Sequence, residues 1–169
     1  VEADDIPSFP YGAGVPQAVA DLTVAVPFND ADALERRLHR LEQEGRKPAC
    51  LIMEAAMMNL GVILPEPGYL EAVREITKQH DVVLIFDEVK TGLAIAAGGA
   101  TERFGVQPDM VTLAKTLGAG LPSGLRQVKY FWCVRIAVAS TSGGKAMLSS
   151  SIAPISTGVM KYGSFTDKS

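Results

Sequence analysis

Two apolar segments of this chain are each followed by a residue that can do chemistry. Asp87 ends the run 82–86, and Lys115 follows the run 110–113, 28 residues further along (115 − 87). If both runs are parallel strands, their carboxylate and amine reach the same edge of one sheet. An amine placed there can capture an aldehyde, and a carboxylate can hold the proton of a cationic ring nitrogen.

This pair of groups is what pyridoxal phosphate (PLP) chemistry requires. At the end of a buried strand we expect Lys115 to be partly desolvated, which makes its amine a better nucleophile. Non-catalytic interpretations also fit: Lys115 can extend from the strand end to water, and Asp87 can cap a helix or form a structural ion pair. We expect Glu88 to point away from Asp87 and to lie at the surface.

The surrounding pattern predicts the elements that must position these residues. Apolar runs without alternation, separated by amphipathic helices, indicate an α/β fold with a mostly parallel sheet covered by helices on both faces. Glu54 ends another apolar run and therefore joins Asp87 and Lys115 at the carboxyl edge. The predicted strands are 22–26, 49–53, 82–86 and 110–113, and the predicted helices run from Asn29 or Asp30 to about Glu44 and from Gly68 to His80.

Composition excludes several classes of function. The 169 residues are 47% hydrophobic and 21% charged, which is typical of a globular domain. A net charge of −3 gives no reason to expect nucleic acid as a partner. No apolar stretch approaches the roughly 18 residues of a membrane span, and the acidic start is not typical of a signal peptide. Two cysteines are too few for a disulfide framework, so we expect a cytoplasmic protein.

Metal binding is not expected from the two histidines. His39 lies in a charged predicted helix and His80 lies at the end of another, without a second ligand at metal spacing. We expect both side chains at the surface and no metal site.

The charge distribution divides the chain near residue 124. Residues 1–124 contain 10 basic and 18 acidic residues, whereas residues 125–169 contain 6 basic residues and only one acidic residue. The second segment is also rich in serine and threonine. We therefore expect residues 1–124 to form the domain, with 1–21 as a loop or lid, and residues 125–169 to be a divergent tail with no assigned role.

An ordered set of motifs makes the interpretation more specific. Together these motifs resemble the middle of a class III aminotransferase, with particular similarity to the glutamate-1-semialdehyde 2,1-aminomutase branch. The similarity extends from about Gly14 to Gly124. The motifs, in chain order, are Glu54-Ala-Ala-Met-Met-Asn59-Leu-Gly61, Pro65-Glu-Pro-Gly-Tyr-Leu70, Ile85-Phe-Asp87-Glu-Val89-Lys-Thr-Gly92, Gly98-Gly99, Phe104-Gly-Val, Pro108-Asp109 and Leu113-Ala-Lys115-Thr-Leu-Gly118-Ala-Gly-Leu-Pro122.

The resemblance implies a large domain of a fold-type I PLP-dependent transferase, a homodimer and specific roles for five residues. Lys115 corresponds to the lysine that forms a Schiff base with PLP and then moves a proton. Asp87 corresponds to the carboxylate that pairs with the pyridine nitrogen, and Val89 to the aliphatic residue on the ring face. Asn59 corresponds to an asparagine near the ring hydroxyl, and Glu54 to the glutamate of a Glu-Pro loop.

The chain also departs from the family pattern. Ala55 stands where the family has the proline of the Glu-Pro loop. The resemblance places the phosphate-binding loop before Val1 and the small domain after Gly124. We therefore expect a central fragment with a foreign end, such as a frame shift would create.

Three functions stay open at this point. The first is aminomutase chemistry, which moves an amino group within one molecule and converts glutamate-1-semialdehyde to 5-aminolevulinate for tetrapyrrole synthesis. The second is amino transfer to a separate keto acid by another class III enzyme. The third is a non-catalytic remnant that lacks the phosphate-binding loop.

Overall fold

Three parallel strands form the centre of the protein. The computed structural model describes Ile6, Gly12 and residues 14–121, 124–128 and 131–135. Strand β1 pairs with β2 and β2 pairs with β3, all in parallel. This confirms the predicted α/β fold with a parallel sheet flanked by helices. The three strands are β1 (Cys50–Met53), β2 (Val83–Asp87) and β3 (Met110–Leu113).

The sheet continues with a part that the sequence did not predict. Strand β4 (Gly124–Val128) pairs antiparallel with β3, and β5 (Phe131–Arg135) pairs antiparallel with β4. Residues 125–169 were expected to be a divergent tail, so the extension of the sheet by β4 and β5 was not predicted. The division at residue 124 stays a prediction, and residues 136–169 of the predicted tail lie outside the described residues.

Four α-helices connect and cover the strands in the part of the chain that the structure describes. They are α1 (Gln17–Ala20), α2 (Ala31–Gln43), α3 (Tyr69–Gln79) and α4 (Gly99–Phe104). The Asp30 carboxylate caps α2 by accepting a hydrogen bond from Ala33 N at 2.8 Å. This confirms the predicted start of α2. Gly45, at φ +69°, follows the helix, where a left-handed residue is easiest for glycine.

Helices α2 and α3 pack on one face of the sheet. Leu84 and Phe86 of β2 are completely buried against Leu38 of α2 and Val73 of α3. Alternate residues of β1 and β2 point to the other face, where Ile52 is 59% exposed and Val83 is 39% exposed. The cover of this second face by helices stays a prediction.

One predicted strand is absent from the described residues, and one observed helix was not predicted. Residues 22–26 form no strand, because they have no ladder partner among the described residues; Val26 instead packs against the core. Helix α4 has no amphipathic run long enough to predict it. None of the described helices is both long and apolar enough to cross a membrane.

Candidate functional site

The loops that follow β1, β2 and β3 lie at the same edge of the sheet. Met53, the last residue of β1, is the register partner of Phe86, and Asp87 is the register partner of Thr112 in β3. Glu54 and Asp87 are therefore brought to one edge, and Lys115 follows β3 at that same edge. The parallel register supplies this arrangement, since it aligns the carboxyl ends of neighbouring strands.

Asp87 lies on the sheet face that α2 and α3 leave open. Its side chain is half-buried, and its Oδ1 accepts a hydrogen bond from Val89 N at 3.0 Å. Thr112 Oγ1 donates to the same oxygen at 3.4 Å. Sequence reasoning missed Thr112, although its position one residue before the end of β3 could have indicated it. Both contacts use Oδ1, so Oδ2 accepts no hydrogen bond from any described residue and is available to a ligand.

Lys115 occupies a strained backbone position directly after β3. It begins a short 3-10 turn, Lys115–Gly118, with φ +41°, a left-handed value that non-glycine residues rarely adopt. Strain of this kind is typical of functional positions, where it costs about 1–3 kcal/mol. The side chain is exposed, which corrects the expectation of a partly desolvated amine.

Glu54 and Asn59 form one hydrogen-bonded unit at the end of β1. Glu54 Oε1 accepts from Asn59 Nδ2 at 2.6 Å, and Glu54 Oε2 accepts from Met58 N at 2.8 Å. Ala55, which replaces the family proline, is completely buried and belongs to the hydrophobic core. The Glu54 carboxylate therefore fixes the loop and orients the Asn59 amide, without help from a proline.

Lys90 connects the loop after β2 to the loop after β1. Its Nζ donates to the Met58 carbonyl oxygen at 3.2 Å. Met58 also donates its N–H to Glu54. The backbone of Met58 therefore bonds to Glu54 within its own loop and to Lys90 of the loop after β2. Sequence reasoning missed Lys90, because this contact joins residues 32 positions apart.

Glu88 is a buried anchor and not the surface residue that we expected. It is 2% exposed. Its Oε2 accepts from Ala100 N at 2.6 Å, and its Oε1 accepts from Thr101 N at 3.0 Å. These N–H groups lie in the first turn of α4, where no carbonyl group of the helix can accept from them. The Glu88 carboxylate therefore caps α4, although it is 12 residues before Ala100 in the sequence. Val89, the next residue, is half-buried.

One of the two histidines also departs from expectation. His80 is buried, at 7% exposure, and its ring lies against that of His39 with centroids 4.7 Å apart. His39 is exposed, as expected, whereas the surface expectation is wrong for His80. Both histidines lie beside Glu35.

The donor set at the carboxyl edge fits PLP. The edge combines an accessible primary amine with a half-buried carboxylate whose Oδ2 is available to a ring N–H. The amide of Asn59, held by Glu54, adds a neutral polar group. An amine and a carboxylate placed in this way are the groups that PLP-dependent enzymes use.

A known family matches most of the chain. The family described as Aminotransferase class-III matches residues 3–131. The chain belongs to this family.

Curated relatives carry a consistent name. The chain is 49% identical over 115 residues to a glutamate-1-semialdehyde 2,1-aminomutase of Methanocaldococcus jannaschii, covering 68% of this chain and 26% of the relative. It is 44% identical over 115 residues to the enzyme of the same name from Myxococcus xanthus, covering 68% and 26% respectively. The chain therefore spans about a quarter of the length of these relatives.

Solved structures show the same similarity. An omega-transaminase from Sphaerobacter thermophilus superposes with a TM-score of 0.63 at 39% identity, covering 71% of this chain and 26% of that one. A glutamate-1-semialdehyde aminomutase from Pseudomonas aeruginosa in complex with PMP gives a TM-score of 0.57 at 34% identity, covering 68% and 24%.

Proposed function

We propose that this chain is a cofactor-binding part of a PLP-dependent enzyme that transfers an amino group. The observation that carries the proposal is the β2–β3 register, which brings Asp87 and the turn of Lys115 to adjacent strand ends. PLP, when bound, supplies an electron sink that stabilises negative charge on the carbon bearing the amino group.

Each residue then has a defined task. Lys115 Nζ would bind the cofactor aldehyde with loss of water and, once displaced by the substrate amine, would carry a proton at the substrate carbon. Asp87 Oδ2 would accept the ring N–H, while the contacts of Oδ1 with Val89 N and Thr112 Oγ1 hold the carboxylate in place. Val89 would pack on the ring, and Asn59, oriented by Glu54, would lie near the ring hydroxyl.

For the substrate we propose glutamate-1-semialdehyde, converted to 5-aminolevulinate for tetrapyrrole synthesis. This is supported by relatives at 43–49% identity that carry the aminomutase name. The second candidate is amino transfer to a separate keto acid, favoured by the similarity to the omega-transaminase. The third, a non-catalytic remnant, is favoured by the exposure of Lys115.

For the intact protein we propose a cytoplasmic homodimer, with residues 1–124 as part of the PLP-binding domain. An apolar loop after β1 supports a protein partner, because Leu60 is 73% exposed and Val62 is 70% exposed. Side chains of this kind usually become buried in an interface.

The test is covalent capture of PLP by Lys115. The 169-residue chain is mixed with PLP, reduced with borohydride and digested, and the modified peptide is located by mass spectrometry. We expect one reducible visible-absorbing adduct on Lys115 that Lys115→Ala abolishes. The matched control Lys78→Ala removes an exposed lysine of α3 and should leave the adduct intact. An adduct spread over surface lysines, or indifferent to Lys115, overturns the proposal and supports the remnant.

The substrate question needs a second measurement. The chain is incubated with PLP and glutamate-1-semialdehyde, with and without an added keto acid. Formation of 5-aminolevulinate without the keto acid supports the aminomutase, whereas conversion of the keto acid to its amino acid, with 4,5-dioxopentanoate as the co-product, supports the transaminase. An adduct without either product contradicts both catalytic assignments for this chain.

A further inference from the structure

A second group of chemically active side chains lies away from the proposed PLP site. Glu35 and His39 are one helical turn apart on α2, and His80 follows the last residue of α3. One donor atom from each of the three lies within 4.8 Å of the other two. The two imidazole rings meet edge to face, with an interplanar angle of 77°.

His80 is oriented by a carboxylate outside this group. Its Nδ1 lies 3.1 Å from Glu42 Oε1. Because a carboxylate accepts a hydrogen bond, this contact places the proton on Nδ1 and leaves Nε2 as the free nitrogen. Metal-binding histidines are commonly held in this way, with one nitrogen bonded to a carboxylate and the other available to the ion. Burial of His80 restricts its ring further.

We propose that Glu35, His39 and His80 form a zinc site that joins α2 to the end of α3. Two imidazoles and one carboxylate are a known zinc ligand set that leaves a fourth position for water. Zinc bonds of about 2.1 Å place neighbouring ligand atoms roughly 3.4 Å apart. The donors must therefore approach by up to about 1.4 Å (4.8 − 3.4), which the exposed His39 and the half-buried Glu35 can do by side-chain rotation.

The ligand types favour zinc over the hard cations. Magnesium and calcium prefer sets made only of oxygen, whereas imidazole suits zinc and neighbouring transition metals. The site lies just before β2, at the amino edge of the sheet, whereas Asp87 ends β2 at the carboxyl edge. The ion therefore has no part in PLP chemistry, and the proposal is independent of the proposed function.

Bound zinc should stabilise the fold, because an ion that binds only the folded chain shifts the unfolding equilibrium. The tag-free chain, stripped with EDTA and dialysed, is titrated with ZnCl₂ against a chromophoric chelator, and its melting temperature is measured with and without zinc. We expect one zinc per chain, a raised melting temperature, and no comparable effect of MgCl₂.

Variants identify the ligands. His39→Ala, at an exposed position that tolerates alanine, should weaken zinc binding at least about tenfold, and Glu42→Ala should weaken it about 10- to 100-fold through loss of ring orientation. Gln43→Ala, an exposed change in the same helix, should bind zinc like the parent chain. Circular dichroism verifies that each variant folds.

Two results would overturn the proposal. One is unchanged zinc affinity in His39→Ala. The other is loss of binding in Cys50→Ser while His39→Ala still binds, because the exposed Cys50 thiol would then be the ligand.

Discussion

Glu88 Oε1 accepts a hydrogen bond from Thr101 Oγ1 at 2.6 Å, which connects the residue after Asp87 to the first turn of α4. Two neighbouring carboxylates thus have opposite surroundings. Asp87 ends β2 on the open face of the sheet, while Glu88 is buried on the helix-covered side and satisfies backbone donors. The anchor at Glu88 limits the movement of the loop that carries Asp87 and Val89.

Replacement of Glu88 should destabilise the protein strongly. Glu88→Ala leaves the donors of Ala100 and Thr101 unpaired in a buried site, so we expect a loss of roughly 3 kcal/mol in the free energy of unfolding. Glu88→Gln keeps one acceptor oxygen and should lose less. Urea unfolding measures both, and Glu71→Ala, an exposed carboxylate of α3, is the control. Equal stability of Glu88→Ala and the control would contradict the anchoring role.

Gly99 should tolerate no side chain, because it lies against this anchor. A Cβ there would collide with Glu88 Oε2 and lie 2.8 Å from Glu88 Cδ, and φ is +67°. Gly105 is the matched control, because φ is +73° and a Cβ at that position would have no atom within 4 Å. Gly105→Ala should cost about 1 kcal/mol from backbone strain alone, and Gly99→Ala should cost clearly more. Similar unfolding midpoints for the two variants would exclude the steric contact with Glu88.

Local periodicity was sufficient to predict the main helices and the parallel strands. Leu34, Leu38 and Leu41 repeat at helical spacing, and all three are buried in α2. The capping aspartate and the following glycine are also local signals. The apolar runs also placed Asp87 and Lys115 at strand ends, and the family motifs then implied the roles of these two residues.

The remaining features depend on contacts between residues far apart in the chain. Because side chains alternate along an extended segment, Glu88 was correctly expected to point to the face opposite Asp87. The alternation does not tell which of the two faces is buried. Because Leu84, Phe86 and Glu88 share the core face, the expected surface residue is an interior one. The cap of α4 comes from Glu88, 12 residues before Ala100, so no local pattern predicts that helix.

The approach of His39 to His80 is another non-local feature. It depends on the packing of α2 against α3, which brings the middle of one helix to the end of the other. Spacing along the sequence contains no signal of that kind.

The loop after β1 should lose its order when Glu54 is replaced. Glu54→Ala removes the acceptor of both Met58 N and Asn59 Nδ2, so we expect faster hydrogen exchange at the Met58 amide and about 1 kcal/mol less stability. Glu66→Ala changes an exposed carboxylate in a neighbouring loop and serves as the control. Unchanged protection of Met58 in Glu54→Ala would show that the loop is ordered by other contacts.

Tyr69 should make stability depend on pH in the alkaline range. Burial raises the pKa of its phenol, the Asp30 carboxylate raises it further, and a hydrogen bond with the Asn29 backbone opposes both. The pKa of Tyr69 is therefore higher in the folded chain than its value of about 10 in the unfolded chain. The neutral phenol contributes stability that is fully present below the unfolded pKa. This stability is lost as the pH rises through the folded pKa.

The measurement compares the parent chain with Tyr69→Phe, which keeps the ring that packs edge to face on Phe28 at 5.1 Å. Urea unfolding at pH 8 and pH 10.5 should show a larger alkaline loss of stability in the parent, since the variant cannot ionise at this position. Titration of lysines and other tyrosines is common to both proteins and cancels in the difference. Parallel stability curves over this range would mean that Tyr69 has the same pKa in the folded and unfolded chain.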